Sequence, residues 1–177
     1  FTNLSQDHMD FHQTFDNYVE AKAKLFQMCK KGYVNCDDVY SGRIQKLASP
    51  ECKIATFGLD NGPSIGAKDL IVTNTYSEFK IMVNNRPQKI RIGIPGRFTV
   101  YNALAAIAAV STLNIDFEAI KHGLEKVVVP GRSEMVPNNH GKAIMIDYAH
   151  SPASLENILR AVKSYTKGRL ICVFGYL

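Results

Sequence analysis

Residues 7–26, DHMDFHQTFDNYVEAKAKLF, set two acids and two histidines within six positions and then run into a helical pattern. At about 100° per residue, Phe15, Tyr18, Val19, Leu25, Phe26 and Cys29 fall on one stripe. Lys22 falls at its centre, and Lys24 points the opposite way. A lysine in that place has two readings. Its stem can pack along the stripe while the amine reaches water at the edge. Alternatively the amine is desolvated, burial disfavours its charged form, and the neutral nitrogen becomes a nucleophile. Carbon dioxide is one electrophile it can capture. The resulting carbamate is a carboxylate on a long arm, able to hold a divalent cation or accept a proton. His8 lies just upstream between Asp7 and Asp10, oxygen-rich surroundings that suit a magnesium-type site. A loop histidine that only hydrogen-bonds is the plainer alternative. Lys22 and His8 are the candidate catalytic and metal-binding residues.

Three further residues could meet a ligand. Arg132 follows the Pro130-Gly131 turn of PGRSE, and its planar fork suits a bidentate clamp on phosphate; an ordinary surface arginine is the other reading. Asp147 closes the apolar run KAIMIDYA, at the strand edge where open α/β sheets bind ligands. Asn102 lies in the apolar helix YNALAA and, if buried, needs partners. Most buried asparagines bond the backbone, and ligand contact is the minority case. A GxxxxGK[ST] phosphate cradle does not occur in these 177 residues, and GIPGRF lacks its terminal lysine.

The elements that must position these groups are readable from punctuation and period. Thr14 to Lys31 predicts a helix, capped by Thr14, favoured at its positive end by Asp16 and stopped by Gly32. GYVNC reads as a short strand and DDVYSGRIQKLA as a surface helix. KIATFGL, KDLIVTNTY, EFKIMVNN and QKIRIGI are β-rich runs between turn residues, which predicts a small, largely antiparallel meander over 53–95. FTVYNALAAIAAVSTL is apolar nearly all round and predicts a buried helix. DFEAIKHGLEKV is an amphipathic helix beginning near Asp116. Beyond a boundary near Pro130–Gly131, strand KAIMIDYA, helix SPASLENILRAVKSY and strand GRLICVFG predict a βαβ unit, a parallel pair with a right-handed crossover. Ser151 is its helix cap, with Pro152 at the first position. The class is α/β, with residues 1–130 and 131–177 as separate units.

Composition excludes several classes. A hydrophobic fraction of 46% with 21% charged residues is ordinary for a globular protein that buries its own core. The formal charge of +5 is spread along the chain rather than gathered with aromatics, so nucleic acid is not the expected partner. The most apolar run, VYNALAAIAAV, is too short and too polar at Asn102 to span a bilayer. Four cysteines without metal-ligand spacing read as buried free thiols and favour a reducing cytosol. FTNLSQ and ICVFGYL read as cuts through a longer sequence.

Five stretches, TNLSQDHMDFH, YVEAKAKLF, PGRFTVYNALAAIAAV, VPGRSE and IDYAHSPASLENIL, in this order and spacing, resemble the Mur ligases. The DYAHSP form is similar to that of the members that add the third amino acid of the peptidoglycan stem peptide. Sister enzymes carry NDSKATN or DYGHHP there, and folylpolyglutamate synthases DGAHN. The resemblance implies a cytoplasmic, ATP-dependent amide-bond ligase using ATP and Mg2+. It would add diaminopimelate or lysine to UDP-N-acetylmuramoyl-L-alanyl-D-glutamate through an acyl phosphate. It also implies that residues 1–130 are the C-terminal half of a central ATP-binding domain, a parallel sheet with helices plus the meander. Residues 131–177 would open a Rossmann-like C-terminal domain, and the chain would be a fragment, inert alone.

By the same resemblance Lys22 is carbamylated and organises magnesium, His8 is a metal ligand, and Tyr18 matches a tyrosine shared across the ligases. Asn102 lies near the adenine, Arg132 at the phosphates, and Asp147 at the ribose and interdomain hinge, with His150 lining that cleft. Thr99 departs from the family, which has asparagine there, and the chain ends in YL where the family continues into a loop rich in glycine and aspartate. The alternatives are another ligase of the superfamily, like the folylpolyglutamate synthases, and a non-catalytic truncated product.

Overall fold

The computed structural model describes residues 1–5 and 9–175. After the one-turn α1 (Met9–His12), α2 (Phe15–Met28) begins at Thr14, whose extended backbone lets its hydroxyl accept the Asn17 N–H at 3.1 Å. The helix ends at Met28 because Cys29 is already extended. Gly32 therefore does not stop it. That glycine lies inside β1 (Lys31–Asn35), where a Cβ would sit 2.6 Å from the Phe26 ring.

From β1 the chain passes through α3 (Ser41–Leu47) to β2 (Lys53–Gly58), which pairs with β1 in parallel. The KIATFGL run is thus half of a β–α–β crossover and not part of the antiparallel meander. A parallel pair needs such a crossover, and α3 supplies it. β2 then pairs in parallel with β3 (Ile65–Val72). The meander proper is β3, β4 (Ser77–Val83) and β5 (Arg86–Ile92), all antiparallel, so one mixed sheet runs β1-β2-β3-β4-β5. Asn84 and Asn85, both at positive φ, make its two-residue hairpin turn.

Side chains alternate across this sheet and divide the core in two. Phe57, Phe79, Ile81, Ile90 and Ile92 face α4 (Arg97–Val110), which buries Val100, Ala103, Leu104 and Ile107 against them. Val34 points the other way, into Val19, Ala23 and Phe26 of α2 and Ile44 of α3. Each large apolar side chain so buried contributes about 1.5–3 kcal/mol. Only one face of α4 is buried: Asn102, Ala106 and Ala109 are exposed, contrary to the expectation of burial all round. Its start is fixed by Gly96, whose φ of 126° excludes ordinary side chains. The buried Ser77 hydroxyl accepts the Gly96 N–H at 3.0 Å and lies within hydrogen-bond reach of the carbonyls of Ile94 and Gly96.

α5 (Phe117–Glu125) starts beside Asp116 as expected. In the last third, β6 (Glu134–Met135) pairs antiparallel with β7 (Met145–Ile146), followed by α6 (Pro152–Tyr165). Ser151 and Ser154 cap α6 reciprocally. The helix of the expected βαβ unit is present, but its flanking runs do not pair with each other. Residues 142–149 are paired over two residues only, with β6, and 169–175 belongs to no sheet, leaving Ile171, Val173 and Phe174 exposed. A strand without a neighbour has nowhere to direct its backbone hydrogen bonds.

Candidate functional site

The first candidate group lies on α2. Tyr18 is 7% exposed, its ring stacks on His12 with centroids 4.4 Å apart, and the Lys22 Nζ lies 5.3 Å from the same ring. Lys22 itself is exposed, so the desolvation suggested by its place in the stripe is not present. The physical reason is Ala23, left out of the stripe but 1% exposed. It turns the buried face toward Val19, Ala23 and Phe26 and leaves Lys22 at the margin, with Leu25 exposed beyond it. His8 and Asp7 lie outside the described residues, as does the Asp10 side chain. His12 joins this group only in the fold, through its stack on Tyr18, and nothing in its local sequence marks that contact.

Magnesium takes few protein ligands, one or two carboxylates, and completes its shell with waters and substrate phosphates. Among the described residues there is no group of three or more His, Cys, Asp or Glu that could hold a metal. A carbamate oxygen on the accessible Lys22 would be a hard donor of the kind magnesium takes.

The second group sits where β1 and β2 end side by side. Asn102 is exposed on α4, which removes the need for a buried partner. Its neighbour Tyr101 donates to the Asp37 carboxylate at 2.9 Å, and Arg97 pairs with Asp60 at 2.6 Å. Thr99 is 5% exposed, and its Oγ1 is a buried oxygen without a hydrogen-bond partner. An orphaned hydroxyl three positions from Asn102 fits a helix that meets a polar ligand or water.

The third group gathers Arg132, Asp147 and His150. Asp147 follows β7 and accepts the Ser133 N–H at 2.8 Å, the Ser133 hydroxyl at 3.3 Å and the Ala149 N–H at 2.9 Å. This closes the PGRS turn onto the strand end. The Arg132 guanidinium lies 4.7 Å from the Tyr148 ring centroid, a cation–π stack that holds the fork outward. The His150 Nδ1 lies 3.0 Å from the Tyr148 carbonyl. Asp147 closes a short antiparallel ladder rather than a parallel pair. No hydrogen bond or ion pair among the described residues joins the three groups.

Residues 1–110 match the model of the Mur ligase middle domain, and residues 131–177 match that of the Mur ligase glutamate ligase domain. The chain belongs to the Mur ligase family. Curated relatives agree along 99% of its length. One is 44% identical, UDP-N-acetylmuramoyl-L-alanyl-D-glutamate–2,6-diaminopimelate ligase 1 of Clostridium acetobutylicum, and another, the corresponding ligase of Clostridium perfringens, is 42% identical. The chain spans 36% and 37% of these two Mur ligases. Among solved structures, a UDP-N-acetylmuramoyl-L-alanyl-D-glutamate–2,6-diaminopimelate ligase matches 93% of the chain at a TM-score of 0.75 and 29% identity, the chain covering 35% of it. MurF from Acinetobacter baumannii matches 93% at a TM-score of 0.83 and 20% identity, a likeness of fold, with 37% of that chain covered.

Proposed function

We propose that the longer protein carrying this chain is an ATP-dependent ligase joining 2,6-diaminopimelate to UDP-N-acetylmuramoyl-L-alanyl-D-glutamate, in peptidoglycan precursor synthesis. The observation that carries this reading is end-to-end agreement at 41–44% identity with Clostridium ligases so named. The motif residues Lys22, Asn102, Arg132 and Asp147 all fall inside the aligned span. Diaminopimelate is favoured over lysine because those relatives are named for it.

In this reading the substrate carboxylate attacks the γ-phosphorus of ATP, ADP leaves, and the amine then displaces phosphate from the acyl phosphate. Phosphoryl transfer depends chiefly on positioning and charge stabilisation. Asn102 lies exposed on α4 to meet the adenine, Arg132 offers its fork to phosphate, and Asp147 holds the turn that carries Arg132 and meets the ribose. Carbamylated Lys22 and His8 would hold Mg2+, which when bound offsets phosphate charge. Residues 1–130 act as the nucleotide side and 131–177 as the start of the C-terminal domain, with the boundary at Pro130–Gly131. The four cysteines are free, which suits a reducing cytoplasm, although only Cys52 is buried as expected and Cys172 is exposed; among the described residues no helix is long and apolar enough to cross a membrane.

A competition assay tests the substrate. The longer protein is given ATP, magnesium, the UDP-muramoyl-dipeptide and equimolar diaminopimelate and lysine, and products are separated by mass. The diaminopimelate tripeptide should dominate, with ADP formed one for one. Lysine incorporation in preference, or extension of a folate instead, would overturn the assignment.

A further inference from the structure

Asp37 lies two residues past β1, and nothing in its sequence context marks it. In the fold its carboxylate accepts the N–H of Leu59 at 2.6 Å, of Asp60 at 3.2 Å and of Asn61 at 2.9 Å. It also accepts the Tyr101 hydroxyl at 2.9 Å. One side chain thereby ties the end of β1, the loop after β2 and the first turns of α4. The fit is close: a Cβ on Gly58 would lie 2.7 Å from the Asp37 Oδ2. Burial pulls the Asp37 carboxyl upward, but the N–H groups of Leu59 and Asn61, the Tyr101 hydroxyl and the Asp60 N–H outweigh it. The group is held below its usual pKa and stays ionised. On the far side of the loop, Asp60 pairs with Arg97, whose guanidinium lies 5.9 Å from the Tyr101 ring centroid. Arg97, Tyr101 and Asp37 therefore brace the two turns of α4 that hold Thr99 and Asn102.

We propose that Asp37 is a positioning residue for the nucleotide, acting through Tyr101 and the 59–61 loop to set how α4 presents Asn102. The carboxylate does not touch the nucleotide. It fixes a helix at the strand ends, where a ligand would sit. This rests on the reading of α4 as the adenine side.

Tyr101→Phe removes the hydroxyl and leaves the backbone bonds of the 59–61 loop intact, so it isolates the link. In the longer protein it should raise the KM for ATP about three- to tenfold, a fraction of what a hydrogen bond to a charged group contributes, because the link acts through the helix and not on the nucleotide itself. The KM values of the dipeptide and the amino acid, kcat and Tm should stay near wild type. Asp37→Asn should raise the KM for ATP further. If it fails to fold, Tyr101→Phe still decides. An unchanged KM for ATP in Tyr101→Phe, with a raised one in Asn102→Ala, would refute positioning and spare the nucleotide reading. Unchanged values in both would remove the nucleotide reading and this proposal with it. A uniform fall in kcat and Tm, with no selective change for ATP, would reduce Asp37 to a structural staple and overturn the proposal.

Discussion

Lys22 and Lys24 share a helix and exposure to solvent, yet of the two it is Lys22 that lies over the Tyr18 ring. If Lys22 is carbamylated, native intact mass or electron density should show one added carbon dioxide on the longer protein. Acid lability makes density the better probe. Lys22→Ala should abolish ligation, with partial return on adding acetate or formate, whereas Lys24→Ala should be nearly silent. Equal effects at the two lysines, with a bare amine at Lys22, would contradict the carbamate. Arg132→Lys keeps the charge but loses the fork and its stack on Tyr148. Losing charge-assisted hydrogen bonds of roughly 1.5–3 kcal/mol each predicts at least about a tenfold fall in ligation rate. Near-normal kinetics would make Arg132 an ordinary surface residue. At this scale the sequence marked residues whose type implies a chemistry, such as Lys22, Arg132 and Asp147. It could not mark Asp37, whose importance exists only once three elements meet around it.

The mixed sheet depends on its outer face as well as its core. Glu78 on β4 has a side chain only 9% exposed and lies directly across from Arg91 on β5, with Lys89 at 3.0 Å and Arg91 at 2.7 Å. Hydrogen bonds from Lys89 and then Arg91 hold its carboxyl below the usual range. A carboxyl depressed in the folded state contributes stability above its unfolded pKa, about 4.3. That stability is lost as pH falls through the lower folded value. The melting temperature should therefore drop on acidification, and Glu78→Gln should be less stable at neutral pH but converge on wild type in acid. Parallel curves in a circular-dichroism melt would contradict this. Helix starts were legible because caps are local: Thr14, Asp116 and Ser151 each stand where a helix begins. Pairing was less so. β2 reads locally like the other β-rich runs that follow it, and only α3 lying between it and β1 reveals the parallel pair. The helix α6 formed where expected, while the strands beside it depend on neighbours that local sequence does not name.

At the scale of the molecule, three groups that the family resemblance assigns to one reaction sit on separate parts of the chain: Lys22 on α2, Asn102 on α4, Arg132 and Asp147 around β7. They are not joined by direct bonds, and 36% of a relative's length is present. Ligation depends on holding ATP, a carboxylate and an amine in line, so a set of partial walls should not suffice. The decisive measurement is a paired assay of the 177-residue chain and the longer protein that carries it. Both receive ATP, magnesium, UDP-N-acetylmuramoyl-L-alanyl-D-glutamate and diaminopimelate, with ADP and tripeptide followed together. The longer protein should form both products in equal amounts, and the shorter chain neither. Tripeptide formed by the shorter chain, or ATP consumed by the longer one without a peptide bond, would contradict the account.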